Sequence, residues 1–198
     1  MTRCCRAVLL RGEAACRQPG YPTGAEEKHR YLGSMITSVL GAPGSGKSTI
    51  APVLARLLPG YAVLDWDAFM RAAAALAGRE IPDNPGTWPA YRQLVHAIIG
   101  VMAHLPVVLL GVCTPDELKD WPIDAWVLLD CSEQERRRRL GQHADLERLA
   151  DAVQDGREYR QLGLPAIDTT GRTPTAVAAE LARYIQSLHP SGYPAHMG

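Results

Sequence analysis

Gly41-Ala42-Pro43-Gly44-Ser45-Gly46-Lys47-Ser48 is the stretch on which the reading of this chain turns. Its spacing satisfies GxxxxGK[ST]. The glycines let the backbone close around phosphate oxygens. Successive N–H groups and the N-terminus of the following helix present partial positive charge to them. Lys47 is placed to reach the β- and γ-phosphates, and the Ser48 hydroxyl to ligate Mg²⁺. With Thr49, which follows it, the loop is the expected site for ATP and Mg²⁺. An Asn/Thr-Lys-x-Asp guanine signature is absent from the sequence, so ATP is expected rather than GTP.

The residues around the loop supply the context that separates it from a chance glycine-rich turn. Ile36–Leu40 before it reads as a buried strand. After it, Ile50, Val53, Leu54, Leu57 and Leu58 fall on one helical face. Pro52 lies inside that helix and is expected to weaken or bend it. Further strands are expected at 61–64, 106–110, 125–129 and 165–168. Helices are expected at 68–77, 89–103, Leu146–Arg160 and after Thr173. The 89–103 helix aligns Tyr91, Leu94, Val95, Ile98, Ile99 and Met102, and the last helix Val177, Leu181, Tyr184, Ile185 and Leu188. Ser132 is placed to cap an arginine-rich helix. Short, wholly apolar strands alternating with helices imply a parallel sheet covered on both faces. The expected fold is a three-layer α/β P-loop NTPase domain over 35–189 with a five-stranded parallel sheet.

Residues 1–34 differ from the rest. They hold three of the five cysteines and two clusters of turn formers, and no helical or strand period runs through them. Val8-Leu9-Leu10 is too short for a secretory h-region, and Glu13, Glu26 and Glu27 argue against a transit peptide. They read as a disordered extension with Met35 as the natural start, or as a short regulatory arm. The tail, 190–198, reads as flexible. A formal net charge of zero argues against a nucleic-acid partner. No apolar run approaches the ~20 residues of a membrane span. No CxxC pair suggests zinc or redox chemistry, and free thiols fit a cytoplasmic location.

Leu64-Asp65-Trp66-Asp67 closes the second strand. Ligands of parallel α/β sheets sit at the carboxyl ends of strands, which brings both aspartates near the phosphate loop. The strand at 106–110 lacks the terminal Asp of a Walker B strand, against a mechanical AAA-type ATPase. Phosphate loop and DxD together resemble the small-molecule kinases of the shikimate kinase and gluconate kinase type, within the nucleoside monophosphate kinase-like group. That resemblance implies an ATP-dependent phosphotransferase. It implies that Asp65 holds Mg²⁺ through water and that Asp67 faces the acceptor hydroxyl as base or orienting group. The residues also allow Asp67 to cap a helix starting at Ala68 while Asp65 is solvated.

Arg136-Arg137-Arg138-Arg139 stands where these kinases carry their lid, here about 136–160. At most two of the four share a helical face. By position, Arg139 resembles the adenine-stacking Arg of the family and Arg148 its phosphate-facing lid Arg, with His143 beside them. A solvated basic face explains the run equally well. The segment 167–174 resembles the family's adenine-packing turn, which involves Arg172 and Pro174; Thr173 and Pro174 also read as helix N-cap and N1. The acceptor is expected against 66–105, with Trp88, Tyr91 and Arg92 as candidate contacts alongside ordinary core packing. Arg160 resembles the family's substrate-anion Arg. The favoured activity is γ-phosphate transfer to a small-molecule hydroxyl. The alternatives are a nucleoside monophosphate kinase and an ATP-binding switch that transfers nothing.

Overall fold

The computed structural model describes residues 35–81, 86–141 and 146–188. The expectations for 1–34, for the tail and for His143 lie outside the described residues. Five strands are described: β1 Ile36–Leu40, β2 Ala62–Asp65, β3 Val107–Gly111, β4 Ala125–Asp130 and β5 Ala166–Asp168. The helices are α1 Lys47–Leu57, α2 Trp66–Ala77, α3 Trp88–Val101, α4 Glu133–Leu140, α5 Leu146–Arg160 and α6 Pro174–Leu188.

All strand pairs are parallel, in the order β2-β3-β1-β4-β5. The crossover from β1 therefore runs to β2 on one side, and that from its neighbour β3 runs past β1 to β4 on the other. The crevice at the carboxyl end of β1, where the phosphate loop begins, is the switch point that such sheets use for ligands. Leu40 pairs with Gly111 on one side and Leu128 on the other. The Gly41 N–H then donates to the Gly111 carbonyl at 3.1 Å, fixing the root of the loop.

Alternation along the strands sorts the core into two layers. Ile36, Val107 and Leu109 pack with Trp66, Tyr91, Val95 and Ile99 of α2 and α3. Val39, Val108, Leu110, Val127 and Leu129 pack with Ile50 and Leu54 of α1 and with Val177, Leu181 and Ile185 of α6. Tyr159 of α5 joins Leu40 and Leu128 on the first face.

Several expectations shift. α2 begins at Trp66 rather than Ala68, because Asp65 and not Asp67 is its cap: the Asp65 carboxylate accepts from the Asp67 N–H at 3.1 Å. Leu57 and Leu94 share the expected stripes yet are 39% and 42% exposed. α1 stays continuous through Pro52. The carbonyl that loses a partner there belongs to Ser48, and both residues are exposed, so water can take its place. Ser132 caps α4 as expected, accepting from the Glu135 N–H at 3.2 Å. Thr173 caps α6 in the same way, accepting from Ala176 at 3.3 Å. No helix among the described residues is long and apolar enough to cross a membrane.

Candidate active site

The loop between β1 and α1 is held by contacts that the sequence motif does not specify. Gly46 adopts φ 101°, a left-handed conformation that lets the backbone enter α1. Gly41 has no room for a side chain. A Cβ there would lie 2.5 Å from Ser45 Oγ and 2.8 Å from the Leu129 carbonyl oxygen. Gly41→Ala is expected to displace the loop, costing about 1–3 kcal/mol of stability together with ATP affinity. Thermal unfolding and ATP titration check this, and wild-type values in both would overturn it.

Lys47 is buried, and its Nζ donates to the Gly41 carbonyl at 2.5 Å. Burial lowers the pKa of the ammonium, and the carboxylates of Asp67 and Asp65 pull it back up. Burial likewise raises the pKa of Asp67, against the pull of Lys47 and with a push from Asp65. These opposed shifts put a poorly hydrated cation and a poorly hydrated carboxylate at one site. The Ser45 side-chain oxygen is buried with no partner among the described residues.

A cavity of roughly 350 Å³ opens over the loop. Pro43, Gly44, Gly46, Lys47, Ser48 and Thr49 of the loop and the start of α1 line it, together with Asp67, Met70, Trp88 and Val112, and Arg139 and Leu140 of α4. Its size suits a small-molecule ligand. A second hollow, roughly 610 Å³, continues from Asp67 and Met70 along α2 past Arg71, Gly78, Arg79 and Glu80.

Of the residues predicted from sequence, the loop, Asp67, Trp88 and Arg139 come together at this cavity. Asp65 lies beside them, half-buried, with one carboxylate oxygen on the α2 cap. Arg139 faces the loop: its Nη1 donates to the Gly44 carbonyl and to Thr169 Oγ1, both at 3.0 Å, and its Nη2 to the Thr169 carbonyl at 2.8 Å. Glu135 holds its other edge at 2.8 Å.

The other predicted residues have partners outside this cavity or lie exposed. Tyr91 is a core residue whose hydroxyl donates to the Trp66 carbonyl, with the Trp66 ring edge-on at 5.7 Å. Arg92 donates to the Glu117 carbonyl at 2.8 Å. Arg160 turns to Asp130 at 2.5 Å and to the Cys131 carbonyl at 2.8 Å. Arg172 binds the Asp168 carbonyl at 2.9 Å and Glu180 at 2.5 Å. Arg148 is exposed in the first turn of α5, and Pro174 is exposed at the start of α6.

Two contributors escape the sequence reading. Thr169, just past β5, is buried and donates from Oγ1 to the Ser45 carbonyl at 3.0 Å, tying the far end of the sheet to the loop. Arg136 is wholly buried and donates to the Pro43 carbonyl at 2.6 Å. Its place in a run of four arginines reads as a surface feature.

The donor set fits Mg²⁺ held jointly with phosphate. Ser48 offers an exposed hydroxyl and Asp65 a carboxylate, while no cluster of three or more His, Cys, Asp or Glu among the described residues could hold a metal alone. Mg²⁺ is ordinarily bound in this way, through one or two carboxylates, waters and substrate phosphates.

Comparison with known proteins agrees with this architecture. No family model matches the chain. A shikimate kinase of Synechococcus sp. (strain RCC307) is 36% identical over 127 residues, 62% of this chain and 62% of that protein. The matched stretch thus spans less than two thirds of that relative. A shikimate kinase of Corynebacterium efficiens is 28% identical over 166 residues, 76% of this chain and 96% of that protein. The structure of the Acinetobacter baumannii shikimate kinase in complex with shikimate shares the fold, with a TM-score of 0.56 at 17% identity over 82% of this chain and 98% of that one. In sequence the chain is thus similar to shikimate kinases, and it shares their fold.

Proposed function

We propose that this chain, a P-loop kinase of the shikimate kinase-like type, moves the γ-phosphate of ATP to a hydroxyl of a small molecule. The observation that carries the reading is the cavity that Lys47 and Asp67 both line, with their opposed pKa shifts. Lys47 and the loop N–H groups hold the triphosphate. Asp67, on the same cavity, accepts the proton of the acceptor hydroxyl or orients it. Ser48 and Asp65 hold Mg²⁺, which supplies charge neutralisation between the phosphates. Arg139 sits where it can meet the nucleotide from the α4 side. The hollow beyond Asp67 gives the acceptor a place, with Met70, Ala74 and Ala75 as its apolar lining and Arg71 and Arg79 as its basic lining.

Shikimate, the compound in the names of the relatives, is not the favoured acceptor. Arg160, the residue expected to meet its carboxylate, is engaged by Asp130. A kinase predicts ADP release that depends on Mg²⁺ and on an acceptor. The test is ADP release against a panel of hydroxylated metabolites including shikimate, antibiotics, nucleosides and nucleoside monophosphates. Stimulation by one hydroxylated class supports the proposal. Stimulation by monophosphates alone would move the function to nucleotide phosphorylation, and ATP binding unaffected by any acceptor would favour a nucleotide switch.

A further inference from the structure

Arg136 is the most deeply buried charged side chain near the site, and it does not line the cavity. Its Nη2 pairs with Asp130 Oδ1 at 2.7 Å, and Asp130 Oδ2 is held in turn by Arg160 at 2.5 Å. Its Nη1 donates to the Pro43 carbonyl at 2.6 Å. Its Nε is buried with no partner among the described residues. The guanidinium fits only because α5 carries Gly156. A Cβ there would meet Nη2 at 2.8 Å and Cζ at 3.1 Å.

Burying an arginine with an incomplete set of partners is a poor way to gain stability. An apolar side chain of similar volume often does as well or better. What the arginine supplies is direction. Carbonyl and N–H of one trans peptide unit point opposite ways. Drawing the Pro43 carbonyl toward Arg136 therefore turns the Gly44 N–H away from that guanidinium, in a peptide whose two residues both line the cavity. Arg139 fixes the next carbonyl, that of Gly44, from the same helix.

We propose that Arg136 is a positioning residue that sets the Pro43–Gly44 peptide for phosphate binding, and that Asp130 and Gly156 set Arg136. The inference rests on the reading of the cavity as an ATP site. It gives α4 a task besides that of a lid: its inner arginine belongs to the floor of the phosphate loop. It also explains why Arg160 faces Asp130, since that contact steadies the carboxylate on which Arg136 leans.

The test is calorimetric titration of ATP into the purified full chain, with thermal unfolding in parallel, for the wild type, Arg136→Met and Gly156→Ala. Both variants are expected to bind ATP about tenfold more weakly or worse, as for the loss of a charge-assisted hydrogen bond. In turnover the loss falls on KM for ATP more than on kcat. Gly156→Ala keeps every charge and lies away from the cavity, so it carries the test if Arg136→Met does not fold. Lower Tm with unchanged ATP affinity in folded Gly156→Ala would mean that Arg136 only fills space, and would overturn the inference alone. A wild type that binds no ATP would overturn the proposed function and this inference with it.

Discussion

Lys47→Ala is expected to abolish ATP turnover, by a factor of about a thousand or more, and to weaken ATP binding to near the limit of calorimetry. The size follows from burial. The ammonium lies in a site with little water, where its attraction to phosphate is worth several times what it is at a surface. Its present partner, the Gly41 carbonyl, is neutral and readily exchanged for a phosphate oxygen. The same burial makes a second result follow. A lysine whose folded pKa is lowered binds its proton less tightly in the folded than in the unfolded chain. Stability therefore rises with pH between the lowered value and the ordinary ~10.4, and below that window the charged lysine costs stability. Lys47→Ala removes the cost, so Tm at neutral pH is expected to hold or rise while activity vanishes. Loss of activity through loss of fold would show instead as a clearly lower Tm, and retained ATP affinity would refute the role of Lys47.

Much of this site is legible in the sequence because its chemistry is local. The loop, the strand before it and the helix after it are contiguous, and the structure places β1 and α5 at the expected residues. The apolar strands announce a doubly covered sheet, and the order of strands then carries Asp67 to the loop without any sequence neighbour saying so. Periodicity tells which face a residue occupies but not how deep it lies. Leu57 and Leu94 keep their stripe and remain exposed, because they sit at its edge. Arginine arithmetic fails for the same kind of reason. Along 136–139 the side chains diverge: Arg138 is 70% exposed and held by Glu135, while Arg136 is enclosed. What distinguishes them is a glycine on another helix and a carboxylate at the end of β4, matches made across the fold rather than along the chain. Thr169 is hidden likewise, since a threonine after a strand reads as a turn residue until the loop it holds is known.

Asp67→Asn is the change that separates chemistry from binding. Removing the proton acceptor is expected to lower kcat by about 10²–10⁴. ATP affinity should stay level or improve, because one negative charge near the triphosphate is gone while Lys47, Ser48 and the loop are untouched. The pH profile adds an independent check. Burial raises the Asp67 pKa in the free protein, so the acid limb of kcat/KM in the wild type is expected above the ordinary carboxylate value of about 3.9 and absent in the variant. The sign for stability follows from the same shift. A carboxyl group with a raised folded pKa binds its proton more tightly when folded, so its favourable contribution exists at low pH and is lost as pH rises through the folded value. At neutral pH the ionised Asp67 is thus a cost that asparagine lacks. Tm of the variant is expected to exceed that of the wild type near pH 7, and the two are expected to converge below pH ~3.9. An Asp67→Asn protein that turns over its acceptor at the wild-type rate would leave Asp67 without a part in the chemistry. The cavity would then be a nucleotide site whose transfer step runs through another group.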